Sequence, residues 1–170
     1  MSTLKVGTIQ DHANSTTAMT IDDSGRVFRP VLPAWRLMLN ANQTMTSNSA
    51  IVNFVSSGTA TEGCFIQGGC SLSSGVITVP VAGVYQVNAT VRYQNVGGIY
   101  VELYMRINAS AHRGYHLEGD PYDTYHSIST SHTFKLAAND TIDITANAVN
   151  DTDWYVSANR LSSFSGFMVG

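Results

Sequence analysis

Apolar and polar residues alternate along much of this chain, with the period of a strand. Between Val84 and Tyr93 one face carries Tyr85, Val87, Ala89, Val91 and Tyr93, and the other carries Gln86, Asn88, Thr90 and Arg92. Successive strand side chains point to opposite faces, so this segment reads as a half-buried strand. The pattern recurs with Val101, Leu103, Met105 and Ile107 against Glu102, Tyr104, Arg106 and Asn108. It recurs again with Ile142, Ile144, Ala146 and Ala148 against Thr141, Asp143, Thr145 and Asn147. Turn residues at Pro80–Gly83, Asn95–Gly98 and Ala138–Asp140 separate the runs. No window shows helical spacing of apolar positions. Short strands between such turns predict an all-β sandwich or barrel.

Two segments break the alternation. Trp35-Arg36-Leu37-Met38-Leu39 and Phe164 to Val169 place apolar residues on both faces. A strand apolar on both sides needs cover on both sides. The chain's own core covers one face, and a partner subunit would cover the other. Trp35, Leu37, Phe164, Phe167 and Val169 are therefore candidates for a subunit seam; the alternative is that these are plain central strands. Residues 1–32 read differently. Leu4, Val6, Ile9, Ile21 and Val27 are spread through short extended runs around the turn Asp23-Ser24-Gly25, too sparsely for a core of their own. The expectation is an extended N-terminal β arm that pairs with other chains or anchors on a larger assembly, followed by a head over 33–170; the alternative for the first segment is a plain disordered tail.

Composition narrows the function. Charged residues make up 12% of the 170 residues, and Lys5 and Lys135 are the only lysines. Ser, Thr and Asn stand where charges ordinarily cover a surface. The net charge is -3 and the arginines are scattered, which argues against a nucleic-acid partner. No apolar run is long enough for a membrane helix. Residues 1–10 show no secretory leader, so the sequons at Asn14, Asn42, Asn88, Asn108, Asn139 and Asn150 are expected to be unused. Cys64 and Cys70 bracket Gly68-Gly69. A hairpin disulfide and a pair of buried free thiols both fit that spacing.

The candidate chemistry is thin. His112 and His116 have the spacing of a helical zinc pair, but Gly114, Gly119 and Pro121 predict a loop there, where the spacing loses its meaning. His12, His126 and His132 have no ligand pattern around them. There is no Gly-x-Ser-x-Gly elbow and no phosphate loop. No catalytic residue, cofactor or firm metal site is assigned. Asp151 and Asp153, in the run Asn150 to Asp153, are weak calcium candidates, against ordinary turn chemistry. Tyr115, Tyr122, Tyr125, Trp154 and Tyr155 are expected on loops beside Asp and Asn, where aromatic rings stack on sugars. A host glycan is the ligand such loops would take; the alternative is that these rings pack the ends of the sandwich or the subunit seam.

Three segments carry a resemblance. Thr78-Val79-Pro80-Val81-Ala82-Gly83-Val84-Tyr85 resembles the signature turn of the C1q/TNF-like jelly roll, in which Pro-x-x-Gly-x-Tyr leads into a core strand. Ser163-Phe164-Ser165-Gly166-Phe167-Met168-Val169 is similar to the family's closing strand. Leu136 to Ile142 resembles its Leu-x-x-Gly-Asp-x-Ile turn, with Asn139 in place of Gly, and Asn tolerates the left-handed conformation. The resemblance covers roughly Pro33 to Gly170. It implies a jelly-roll sandwich, a tight homotrimer and no catalytic residues, and it adds Tyr85 to the seam candidates. The segment from Ser2 to Val27 resembles leader segments of bacteriophage virion proteins and tail fibres. The expectation is a non-catalytic trimer in the virion, held to other virion proteins by its arm. Its head would act as a fibre tip or as a capsid or tail decoration protein. The rival from another class is a polysaccharide hydrolase on a β-sandwich.

Overall fold

The computed structural model describes residues 6–10, 17–28, 32–46, 49–57, 63–94, 100–119, 126–149, 154–156, 158 and 162–169. Of these, 28, 111–119, 149, 154 and 155 are described by backbone alone. Every regular element among them is a strand. Among the described residues no helix is long and apolar enough to cross a membrane. The chain divides into two compact units, Met1–Leu32 and Pro33–Gly170.

The first unit holds β1 (Thr8–Gln10), β2 (Thr17–Ile21) and β3 (Val27–Phe28), in an antiparallel sheet of order β1-β2-β3. The expected extended arm is thus folded back on itself. Asp22 makes the second reversal: its Oδ1 accepts the backbone N–H of Ser24 and of Arg26, both at 2.9 Å, and its Oδ2 accepts Arg26 Nε at 2.6 Å. These bonds from neighbouring donors, that of the Arg26 backbone foremost, hold the Asp22 carboxyl below its ordinary value. Gly25, at φ +77°, takes the left-handed position in that turn.

The second unit is a two-layer sandwich. Its strands are β4 (Ala34–Leu39), β5 (Gln43–Met45), β6 (Ser49–Ala50), β7 (Phe54–Val55), β8 (Phe65–Gln67), β9 (Ser71–Ser73) and β10 (Val76–Thr78). There follow β11 (Gly83–Gln94), β12 (Tyr100–Ile107), β13 (Ser110–Gly119), β14 (His126–Leu136), β15 (Thr141–Val149), β16 (Trp154–Val156) and β17 (Ser163–Met168). One sheet runs β13-β12-β15-β10-β9, with β6 also on β15. The other runs β5-β16-β11-β17-β4-β7, with β14 along the far edge of β11 and β8 on β4. They are called here the β12 sheet and the β11 sheet.

The alternation read from the sequence orients both sheets. Tyr85, Val87, Ala89, Val91 and Tyr93 of β11 are buried, as are Val101, Leu103 and Met105 of β12 and Ile142, Ile144, Ala146 and Ala148 of β15. Burying each large side chain contributes roughly 1.5–3 kcal/mol. Trp35 and Phe164 meet edge to face at 5.7 Å, and Phe54 packs against Phe164 at 5.8 Å. Gly166 faces Trp35 across the β17–β4 pairing, and a Cβ there would stand 2.4 Å from the indole ring. The glycine of the Phe-Ser-Gly-Phe segment is therefore required by close packing.

Two signature turns have visible causes. The Tyr85 hydroxyl donates to the Val81 carbonyl at 2.8 Å and so pins the Pro80–Gly83 turn to the strand that follows. Asn139 sits at φ +68°, and its N–H donates to the Val79 carbonyl at 2.8 Å. The expectation of a loop around His112 and His116 is corrected. Asn108 and Ala109, at φ +51° and +58°, close a tight hairpin, and β13 continues through both histidines to Gly119. A bulge absorbs the glycine: residues 113–115 stand against Tyr104 alone, between the pairs Leu103–His116 and Met105–His112.

Candidate interaction surface

The polar half of the alternation in the β11 sheet forms its outer face. Each residue there is placed by register. Ser129, Thr90, Ser163 and Met38 make one row across β14, β11, β17 and β4. Ser131, Asn88, Ser165 and Arg36 make the next, and Thr133, Gln86, Phe167 and Ala34 the third. The hydroxyls and amides bond to one another. Thr133 Oγ1 donates to Gln86 Oε1 at 2.6 Å, Gln86 Nε2 donates to Ser131 Oγ at 2.8 Å, and Ser131 Oγ donates to Asn88 Oδ1 at 2.7 Å. Thr90 and Ser129 share a hydrogen bond of 2.9 Å. Bonds in such a chain polarise one another, which fixes the side-chain orientations. Among the described residues of these four strands the charges on this face are Lys135 and Arg92, near the two ends of the β14–β11 pairing, and Arg36, at the β4 end of the middle row.

The outer face of the β12 sheet is built differently. Arg106 and Asp143, directly paired across β12 and β15, form a two-pronged ion pair with both N–O distances at 2.7 Å. Bonding to that carboxylate raises the Arg106 pKa above its ordinary value, against the opposing effect of burial. Asn147 Nδ2 donates to Glu102 Oε2 at 2.8 Å.

The seam candidates separate into two groups. Trp35, Leu37, Tyr85 and Phe164 are at most 1% exposed within the single chain, so their place on a subunit seam is corrected: they are this protomer's own core. The sheet twofold alternation puts them inward, and the opposite sheet already covers them. Phe167 and Val169 point outward and are 49% and 61% exposed. The second apolar face of β4 consists of Ala34 and Met38, which lie beside Phe167 and Ser163 by register and are themselves buried within the single chain, each 8% exposed.

The other candidates scatter. Tyr115 lies in β13, and Trp154 and Tyr155 in β16, which pairs with β11 and β5; the expectation of loops is corrected for these three. Tyr122, Tyr125, Asp151, Asp153, Leu4 and His12 lie outside the described residues. Among the described residues no three His, Cys, Asp or Glu side chains come together to hold a metal. His126 stacks on Tyr93 at 5.6 Å, and His132 shares a 2.9 Å hydrogen bond with Thr130. Cys64 and Cys70 are free, half-buried thiols. Burial pushes Cys70 up to about 11 and also raises Cys64, where the Arg36 charge pulls the other way. Neither is a ready nucleophile near neutral pH.

The bonded outer grid was not among the sequence candidates. Its signal was present in the run His126-Ser127-Ile128-Ser129-Thr130-Ser131-His132-Thr133, where every second residue is a hydroxyl. Polar residues on a strand ordinarily signify solvent, so their density passes unremarked until register sets four strands side by side.

No protein-family model matches the chain, and no curated protein does. Solved structures do. The Eiger TNF of S. frugiperda superposes with a TM-score of 0.63 at 14% identity, over 84% of this chain and 94% of that one. At that identity the likeness speaks for the fold. With its antiparallel strands, its two facing sheets and this neighbour, the chain has the fold of a C1q/TNF-like jelly-roll β-sandwich.

Proposed function

We propose that the chain is a non-catalytic, homotrimeric structural protein of a bacteriophage particle, with the N-terminal unit toward the particle and the jelly-roll head displayed outward. The observation that carries this reading is the neutral, self-bonded outer face of the β11 sheet, with Phe167 within it and Val169 just beyond the end of β17. Groups already paired with one another are buried against a copy at far lower cost than ions. Three copies in a closed ring bury that face on every subunit and leave no open contact to propagate. Support for the particle setting is the leader-like Ser2–Val27 segment. The head would meet host surface glycan as a fibre tip, or serve as a decoration protein on capsid or tail.

Light scattering on the purified chain tests the assembly. A mass of three chains is expected, and a mass of one chain would overturn the trimer. A map of the intact particle then assigns head or tail. A glycan array with the isolated trimer separates fibre tip from decoration.

A further inference from the structure

The N-terminal sheet has one apolar face. Ile9 pairs with Met19 across β1 and β2, and Ile21 pairs with Val27 across β2 and β3. Directly paired residues share a face, as do residues two apart on one strand, so all four side chains stand together. Ile9, Ile21 and Val27 are 47%, 36% and 55% exposed. Thr8, Thr20 and Phe28 occupy the register positions of the other face.

A unit of 32 residues does not stabilise itself by a core; below about 40 residues disulfides, metals or oligomerisation are ordinarily needed. Residues 1–32 contain no cysteine. Charge points to the kind of cover. β1, β2 and β3 carry no ionisable side chain, and the Asp22 carboxylate is neutralised by Arg26 of its own turn. Identical copies of this face therefore meet without repulsion.

We infer that the apolar face of the N-terminal sheet is buried against the same face of other copies of this chain, so that the segment is a second self-association element. The inference rests on the trimer reading given above. Only residues 29–32 lie between Phe28 and Pro33, so three heads held in a trimer keep three N-terminal sheets on short tethers at high local concentration. Under that condition even a small apolar face associates without any gain in intrinsic affinity. Attachment to the particle then falls to the surface the three sheets leave outward.

The test is oxidative cross-linking of the full chain, with light scattering on each sample. Val27→Cys places a thiol on the apolar face, and Thr20→Cys places one on the other face. The unaltered chain, with its two half-buried native thiols, sets the background. The expected result is a mass of three chains, with disulfide-linked species several-fold more abundant for Val27→Cys than for Thr20→Cys. A mass of three chains with equal or background cross-linking at both positions overturns this inference and leaves the trimer standing. A mass of one chain overturns the trimer, and the inference with it.

Discussion

The two outer faces of the head answer the same requirement in different ways. Each sheet must present the polar half of its alternation away from the core. The β12 sheet does so with charge, through Arg106–Asp143 and Glu102–Asn147, with Asp143 and Thr145 already buried at 6% and 1% exposed. The β11 sheet does so with neutral hydroxyls and amides joined from Thr133 to Asn88. An ionised surface resists burial, because desolvating each ion costs several kcal/mol. A neutral bonded surface tolerates it, because each net hydrogen bond is worth only about 1 kcal/mol and is already made within the sheet. The two outer faces thus differ in kind, a largely buried ion pair on one and a neutral bonded grid on the other.

The largest expected effect comes from charging the neutral face. Asn88→Asp keeps the oxygen that accepts from Ser131, so the fold should tolerate it, yet it brings a carboxylate to every subunit of an assembly. The mass by light scattering is expected to fall from three chains to one. Asn147→Asp, on the β12 sheet, is expected to leave the mass unchanged. If both variants keep the mass of three chains, the neutral face is not the seam.

Gly166→Ala acts from inside the β11 sheet. The added methyl would meet the Trp35 ring, so the sheet must spread or the indole must leave its place. A loss of about 3 kcal/mol is expected in urea unfolding, at the upper end for overpacking a core. Asp143→Asn acts on the charged face and leaves Arg106 without its counter-ion. Arg106 retains some water, with a quarter of its side chain exposed, so a smaller loss of about 2 kcal/mol is expected by the same measurement.

The smallest effect is at the turn that resembles Leu-x-x-Gly-Asp-x-Ile. Asp140 accepts from Asn108 Nδ2 at 2.8 Å and from the Ala137 N–H at 2.7 Å. Those bonds, the one from Asn108 foremost, hold its carboxyl below the ordinary value of 3.8. A depressed folded value means that the stabilisation is present above 3.8 and is lost as the pH falls through the folded value. Thermal midpoints measured on the acid side should therefore decline less steeply for Asp140→Asn than for the unaltered chain.

Much of the head was legible in the residue order. The alternations in β11, β12 and β15 assigned inward and outward residues correctly, because period two is a local property of extended backbone. Asn139 was legible as a left-handed turn residue. β13 was not, because Gly114 and Gly119 read as breakers, whereas a bulge opposite Tyr104 accommodates the first within the ladder. The fold of residues 1–32 was half legible: the short strands and their turn appear in the sequence, but the antiparallel pairing that sets Ile9, Met19, Ile21 and Val27 on one face does not.

The seam candidates show where local pattern ends. The sequence by itself determined that Trp35, Leu37, Tyr85 and Phe164 would be buried, and that Gln86, Asn88 and Thr90 would face away from the buried side of their own strand. Only the tertiary structure decided what covers the first group and what lies beside the second. The opposite sheet takes the four apolar residues, and register sets Ser129 and Ser131 of β14 beside the polar ones, within hydrogen-bonding reach. Alternation is written along one strand, whereas cover and adjacency depend on which strands meet, and residues up to 47 positions apart in the chain make those bonds.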